Sequence, residues 1–248
     1  MKEELMSLSF LFEKQPFTSY SLSHGLPLLI VSIIGLGSIL AALFFLSSKQ
    51  KMRLLIALSI IPALGVIFQM VMPVLEGDFN LKDDLPIHIC RFAGLVSPIV
   101  IWKKNRFWLG ILYFWIIIGT LNANITPDIE YGFPHWGYFT YWFIHSFLVI
   151  LPLYYIIVLK VKINFRDFLN AFWVGNIFLL MTLGINFLLN SNYMYSRHKP
   201  PVASLLDLLG PWPTYLITGQ LLAGALFFIA YLPFLFSKLP HGTNENLF

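Results

Sequence analysis

Three residue types that can do chemistry together sit within four positions of this chain: His88, Cys90 and Arg91, in the run Leu85, Pro86, Ile87, His88, Ile89, Cys90, Arg91. A thiolate is the nucleophilic form of cysteine, and it is favoured at a helix N-terminus and beside a cation. A neutral imidazole is the usual proton acceptor near pH 7. Residues i and i+2 do not face each other on a helix, so His88 is poorly placed to serve Cys90. His145, flanked by Trp142, Ile144, Phe147 and Leu148 in another apolar segment, is the better partner. Each residue also has a plainer reading. Free cysteine is often a small buried hydrophobe, and a lone buried histidine often bonds a neighbouring helix. The sharper reading is nucleophilic chemistry by a thiol–imidazole pair.

The elements that would hold such a pair follow from composition. The chain has 248 residues, 58% hydrophobic, 17% aromatic and 11% charged, against about 25% charged in average soluble proteins. That balance indicates an integral membrane protein. Apolar segments long enough to span or nearly span the ~30 Å hydrocarbon core run roughly 25–47, 53–75, 86–102, 106–123, 137–159, 167–190 and 212–236. The fold class is all-α, a polytopic membrane helical bundle of about seven transmembrane helices. The third is shortest. Pro86 suits a first helical turn, and Asp83 and Asp84 suit its positive end, so the helix is expected to begin just before His88. A segment 1–24 precedes the bundle at 25–236, and 237–248 forms a tail. Glu3, Glu4 and Glu13 leave no compact basic region, so the N-terminus does not resemble a cleaved signal peptide. One cysteine excludes an intramolecular disulfide.

Lysine and arginine alternate with acidic loops. Lys49, Lys51 and Arg53, then Lys103, Lys104 and Arg106, then Lys160, Lys162 and Arg166, then Lys238 fall on one side. Glu76, Asp78, Asp83, Asp84, Asp128 and Glu130 fall on the other. The positive-inside rule places the N-terminus outside and the tail in the cytoplasm of a cell-membrane protein. The net charge of +4 is spread over short loops, which is not the block that nucleic-acid binding uses.

In this topology the polar residues gather at the outer end. Asn122, Asn124 and Asp128 close the fourth helix, and Tyr131 and His135 precede the fifth. Asn186, Asn190, Tyr193, Arg197, His198 and Lys199 close the sixth and open a proline-rich loop. The inner ends offer mainly loop charges. Asn122, Asn124 or free N–H groups at the start of the third helix suit an oxyanion. His88 and Arg91 suit a phosphate, or Arg91 pairs with Asp128. Trp136, Tyr138, Tyr141 and Trp142 read as an interfacial aromatic belt. His88, Cys90, His135 and His145 are metal-ligand types, but their spacing matches no tight motif.

These residues carry a resemblance. The run from Leu85 through His88, Cys90 and Arg91 resembles an element of the bacterial TP0381/YwaF-type integral membrane proteins. Thr126, Pro127 and Asp128, then Phe133, Pro134 and His135, then His145 resemble the second element of that family. Lys199, Pro200, Pro201, Ser204, Leu205, Leu206, Asp207, Gly210, Pro211, Trp212 and Pro213 resemble its last outer loop. The family is similar to the TMEM164 acyltransferases, which remodel phospholipids through a cysteine. The resemblance implies Cys90 as acyl-accepting nucleophile and His145 as its base, with phospholipids or lysophospholipids as partners, no nucleic acid and no cofactor. His88, Arg91, Asn122, Asn124, Asp128 and His135 are the candidate substrate-binding residues. Protein partners are not indicated. The rival reading is a non-enzymatic small-solute transporter or binding protein, though the inner helix halves offer little polar path.

Overall fold

The computed structural model describes residues 9–201 and 204–235. The tail 237–248 and residues 1–8 of the N-terminal segment lie outside the described residues. Seven apolar helices make up the described bundle, which is all-α: α1 (Leu22–Phe45), α2 (Ser48–Glu76), α3 (Ile89–Trp102), α4 (Arg106–Ile125), α5 (Trp136–Ile157), α6 (Phe165–Leu189) and α7 (Thr214–Leu235). All but α3 are long and apolar enough to cross a membrane, as in a multi-pass membrane protein. The tight connections 46–47, 103–105 and 158–164 turn the chain back between successive helices. One end of the bundle therefore carries the basic loops, and the other carries His88 and the start of α5.

Burial sorts the helices. The apolar stretches of α5 and α4 are mostly enclosed by protein, whereas those of α1, α6 and α7 mostly face outward. Their outward residues, such as Phe45, Ile217 and Leu221, are apolar, because lipid rather than water is their solvent. The core gathers around Leu55, Val66, Ile111, Phe114, Ile144, Leu148 and Leu151.

Helix α3 is the element that differs most from expectation. It begins at Ile89, just past the start expected before His88, and His88 is its extended N-cap residue instead of part of its first turn (φ −75°, ψ 142°). Its 14 residues make about 21 Å at 1.5 Å per residue. Gly94 fixes its depth: a Cβ there would lie 2.9 Å from Val66 Cγ2 and 3.4 Å from the Pro62 carbonyl of α2. Ten residues separate Val66 from Glu76, the end of α2, or about 15 Å. Only five separate Gly94 from Ile89, or about 8 Å. So α3 starts roughly 7 Å below its neighbour, and the loop before it folds down into the bundle. Tyr193 holds that loop, donating its hydroxyl to Leu81 O (2.8 Å) and accepting Leu85 N–H (3.0 Å).

Helix α4 departs from regular geometry at its middle. Trp115–Thr120 is a π-helical segment between α-helical flanks Arg106–Phe114 and Leu121–Ile125. Such segments locally widen a helix and recur at functional sites. At the basic end, Arg106 grips Asp167 with both Nη atoms (2.9 and 2.6 Å), and Asp167 is 5% exposed. The basic end thus holds a buried ion pair as well as the loop charges expected there. Its carboxylate serves two ends at once, because it also caps α6 through the Asn164 N–H.

Two of the aromatic residues opening α5 are core. Trp142 is 2% and Tyr138 7% exposed, which corrects the belt assignment for these two. The N-terminal segment is the reason: Phe17 packs on both rings, and His24 stacks on Trp142 at 5.4 Å. Gly132 N–H donates to Gln15 O (2.7 Å), tying that segment to the loop before α5.

Candidate functional site

Because α3 starts low, its first turn opens into a cavity instead of a surface. The cavity has a volume of about 560 Å³ and is walled at this end by His88, Cys90, Arg91, Asp128, Tyr141 and His145. That volume lies within the ~300–1,000 Å³ of small-molecule sites. Cys90 is half-buried. It shares the cavity wall with His145, and the Arg91 N–H next along the chain is one of the amides a helix N-terminus leaves without an intrahelical partner.

The histidine's proton can be placed from its partners. His145 Nδ1 lies 2.9 Å from the Tyr141 carbonyl. A carbonyl only accepts, so Nδ1 carries a hydrogen, and in the neutral ring the lone pair falls on Nε2. Tyr141 also stacks on the imidazole, ring centroids 4.1 Å apart, and is itself held by donating to Ala123 O at 2.7 Å. The ring of His145 is thereby fixed from two sides.

Asn124 supports this geometry from behind. Its Nδ2 donates to His145 O (3.2 Å), its Oδ1 accepts from Ser146 Oγ (2.8 Å), and its carbonyl faces His24 Nε2 (2.9 Å). It is 5% exposed, lies outside the cavity wall, and ties α4 to α5 and α1. His135 is likewise outside that wall. It caps α5, its Nδ1 accepting from Gly137 N–H at 3.0 Å. The structure therefore brings Cys90, His145, His88, Arg91, Asn122 and Asp128 to one cavity and assigns Asn124 and His135 to scaffolding contacts.

The charged groups are also partnered. Arg91 Nη1 donates to Asp83 O (2.8 Å) and Leu85 O (3.2 Å), which staples the folded loop over its own helix. Asp128 accepts from the Tyr195 hydroxyl at 2.5 Å, so the Asp128–Arg91 ion pair gives way to a tyrosine contact. Burial and the Asp128 charge push the Tyr195 hydroxyl pKa up. His88 is held neutral: burial, then the Arg91 and His145 charges, lower its pKa to about 3. Its Nδ1 faces Met194 N–H at 3.4 Å.

Met194 (φ 56°) and Tyr195 (φ 51°) both adopt left-handed backbone. This costs non-glycine residues of order 1–3 kcal/mol each and clusters at functional sites. Both residues line the cavity. Asn186, buried at 0% exposure, holds the strained turn. It donates to Tyr193 O (2.8 Å) and accepts from Tyr193 N–H (2.9 Å) and Ser191 Oγ (2.7 Å). The polar residues closing the sixth helix are thus largely the frame of a cavity lip.

Several contributors carry no mark in the sequence. Tyr141 and Tyr195 were indistinguishable from other aromatic residues. Thr120 and Gln69 line the cavity, and each keeps a buried side-chain oxygen without a hydrogen-bond partner. Among the described residues, no group of three or more His, Cys, Asp or Glu is placed to hold a metal ion.

Comparison with known proteins returned one family. The model described as the TMEM164 family matches residues 19–231. No curated protein and no solved structure matches the chain.

Proposed function

The chain belongs to the TMEM164 family, and from that premise we propose that it is a membrane-embedded phospholipid acyltransferase or acyl hydrolase working through Cys90 and His145. The observation that carries this reading is the tautomer. With Nδ1–H committed to Tyr141 O, the neutral ring offers Nε2 as a base on the wall it shares with the only thiol in the chain.

In the proposed reaction Nε2 takes the thiol proton, and the thiolate attacks a glycerolipid ester carbonyl. The carbon–sulfur bond forms. The ester carbon–oxygen bond breaks as His145 returns the proton to the leaving lysolipid oxygen. A second lysolipid hydroxyl, or water, then attacks the thioester. It gives its proton to His145, and the thiolate leaves and is reprotonated. The Arg91 N–H and Asn122 support the oxyanion. His88 is neutral and acts as a hydrogen-bonding wall. Arg91 lends positive charge toward a phosphate while bracing its loop, and Asp128 orients Tyr195. We place this site on the outer-leaflet side of the cell membrane, with the N-terminus outside and the tail in the cytoplasm. The alternating basic loops support that orientation.

The test uses the purified chain in nanodiscs with labelled phospholipid and unlabelled lysophospholipid. Wild type should gain one acyl group by intact mass and transfer label. Cys90→Ser should do neither. His145→Ala should slow thioester formation by roughly 10²–10⁴, the usual worth of a general base. Acyl transfer persisting in Cys90→Ser would refute the mechanism, and solute binding without acyl chemistry would favour a transport or binding protein.

A further inference from the structure

The cavity that begins at Cys90 does not end there. Its lining continues down α4, α6 and α7 through Ile118, Leu179, Phe172, Leu226, Trp115 and Phe227. Along α7 the wall runs from Tyr215 to Phe227, twelve residues and about 18 Å at 1.5 Å per residue. Half of a ~30 Å hydrocarbon core is about 15 Å, the depth of one leaflet. The slot's wall along α7 therefore has about the depth of one leaflet, the reach of a single acyl chain. No charged residue lines it below Arg91 and Asp128.

Its bottom is rigid. Trp115 donates its indole N–H to the Ala171 carbonyl at 3.0 Å, locking α4 to α6. Phe227 packs on Phe114 with ring centroids 5.3 Å apart. Ala223, one turn above Phe227 on α7, also lines the slot. A large side chain there would close it about 6 Å short of the floor. The π-helical segment of α4 supplies Trp115, Ile118, Gly119 and Thr120 to one wall, which gives that irregularity a purpose.

We propose that this slot seats the one fatty acyl chain that reacts at Cys90, and that Trp115 and Phe227 form a floor setting the longest chain accepted. This rests on the reading of Cys90 as a nucleophile, so the experiment separates the two. Full-length protein in nanodiscs is treated with n-alkyl methanethiosulfonates from butyl to eicosyl, and Cys90 modification is timed by intact mass. The quantity read is the rate of each probe relative to butyl.

Wild type should show a break in relative rate at one chain length. Ala223→Phe should move the break to shorter chains, with probes just past it slowed roughly tenfold, as overpacking a filled site implies. Phe227→Ala should move it to longer chains. Because the two variants act in opposite directions, misfolding of either cannot mimic the pair. A fast, His145-dependent thiol with no break, or with a break that neither variant moves, overturns the slot and leaves the nucleophile standing. A thiol that even the butyl probe does not modify overturns both.

Discussion

Replacing Asp167 by alanine should be among the most destabilising single changes at the basic end of the bundle, and the structure gives its size. The carboxylate side chain is 7% exposed, and both oxygens are gripped by Arg106, whose side chain is 25% exposed. Removing one partner of a buried pair costs about 3–5 kcal/mol, because the other charge is left without its counterion. Arg106 is only partly enclosed and keeps its bond to Lys162 O (2.5 Å), so solvent screening trims this to about 2–4 kcal/mol. The capping bond from Asn164 N–H (2.8 Å) is lost as well, at about 1 kcal/mol. The sum is about 3–5 kcal/mol. Arg106→Met combined with Asp167→Leu should recover all but about 1 kcal/mol, since an apolar pair of similar volume replaces the ions without an orphaned charge. The assay is reversible unfolding in mixed micelles titrated with dodecyl sulfate, followed by far-ultraviolet dichroism. A cost for Asp167→Ala below about 1 kcal/mol, the range of solvated surface pairs, would show that the pair does not hold α4 against α6.

Three other outcomes follow from the same contacts. Gly94→Ala places a methyl 2.9 Å from Val66 Cγ2 and should destabilise by about 1–3 kcal/mol, with Cys90 labelling altered because the depth of α3 shifts; unchanged labelling would refute the depth argument. Asn124→Leu removes two buried interhelical bonds to the His145 turn. At about 0.6 kcal/mol each in membrane bundles the fold should survive, while His145-dependent thiol labelling falls; equal loss of both would make Asn124 merely a fold residue. His88 has a folded pKa lowered to about 3, so below its ordinary value of ~6.5 the unfolded state binds a proton that the folded state refuses. Stability should therefore drop as pH falls from about 6.5 toward 3, by at most about 1.4 kcal/mol per unit. His88→Gln should flatten that slope between pH 7 and 5, and an identical slope in the variant would refute the assignment.

Hydropathy and loop charge were enough to read the helices. Each observed helix lies within a few residues of its apolar segment, because a hydrocarbon solvent forces nearly every spanning residue to be apolar and every backbone group to bond within its own helix. Chemical type was also enough to mark Cys90 and His145 as candidates, since ionisable and thiol groups stand out in such a background, and both lie on one cavity wall. What one-dimensional pattern could not carry was depth and allegiance. Pro86 and the acidic pair marked a helix start just before His88, close to the observed Ile89, but nothing marked its level against α2, which is set where Gly94 meets Pro62 and Val66. Asn124 and His135 had the same credentials as Asn122 and His88. The tertiary contacts alone spent the first pair on Ser146, His145 and Gly137 and left the second pair on the cavity wall. The π-helical segment at Trp115–Thr120 and the partnerless oxygens of Thr120 and Gln69 had no sequence signal, because they arise where helices far apart in the chain fail to fill the space between them.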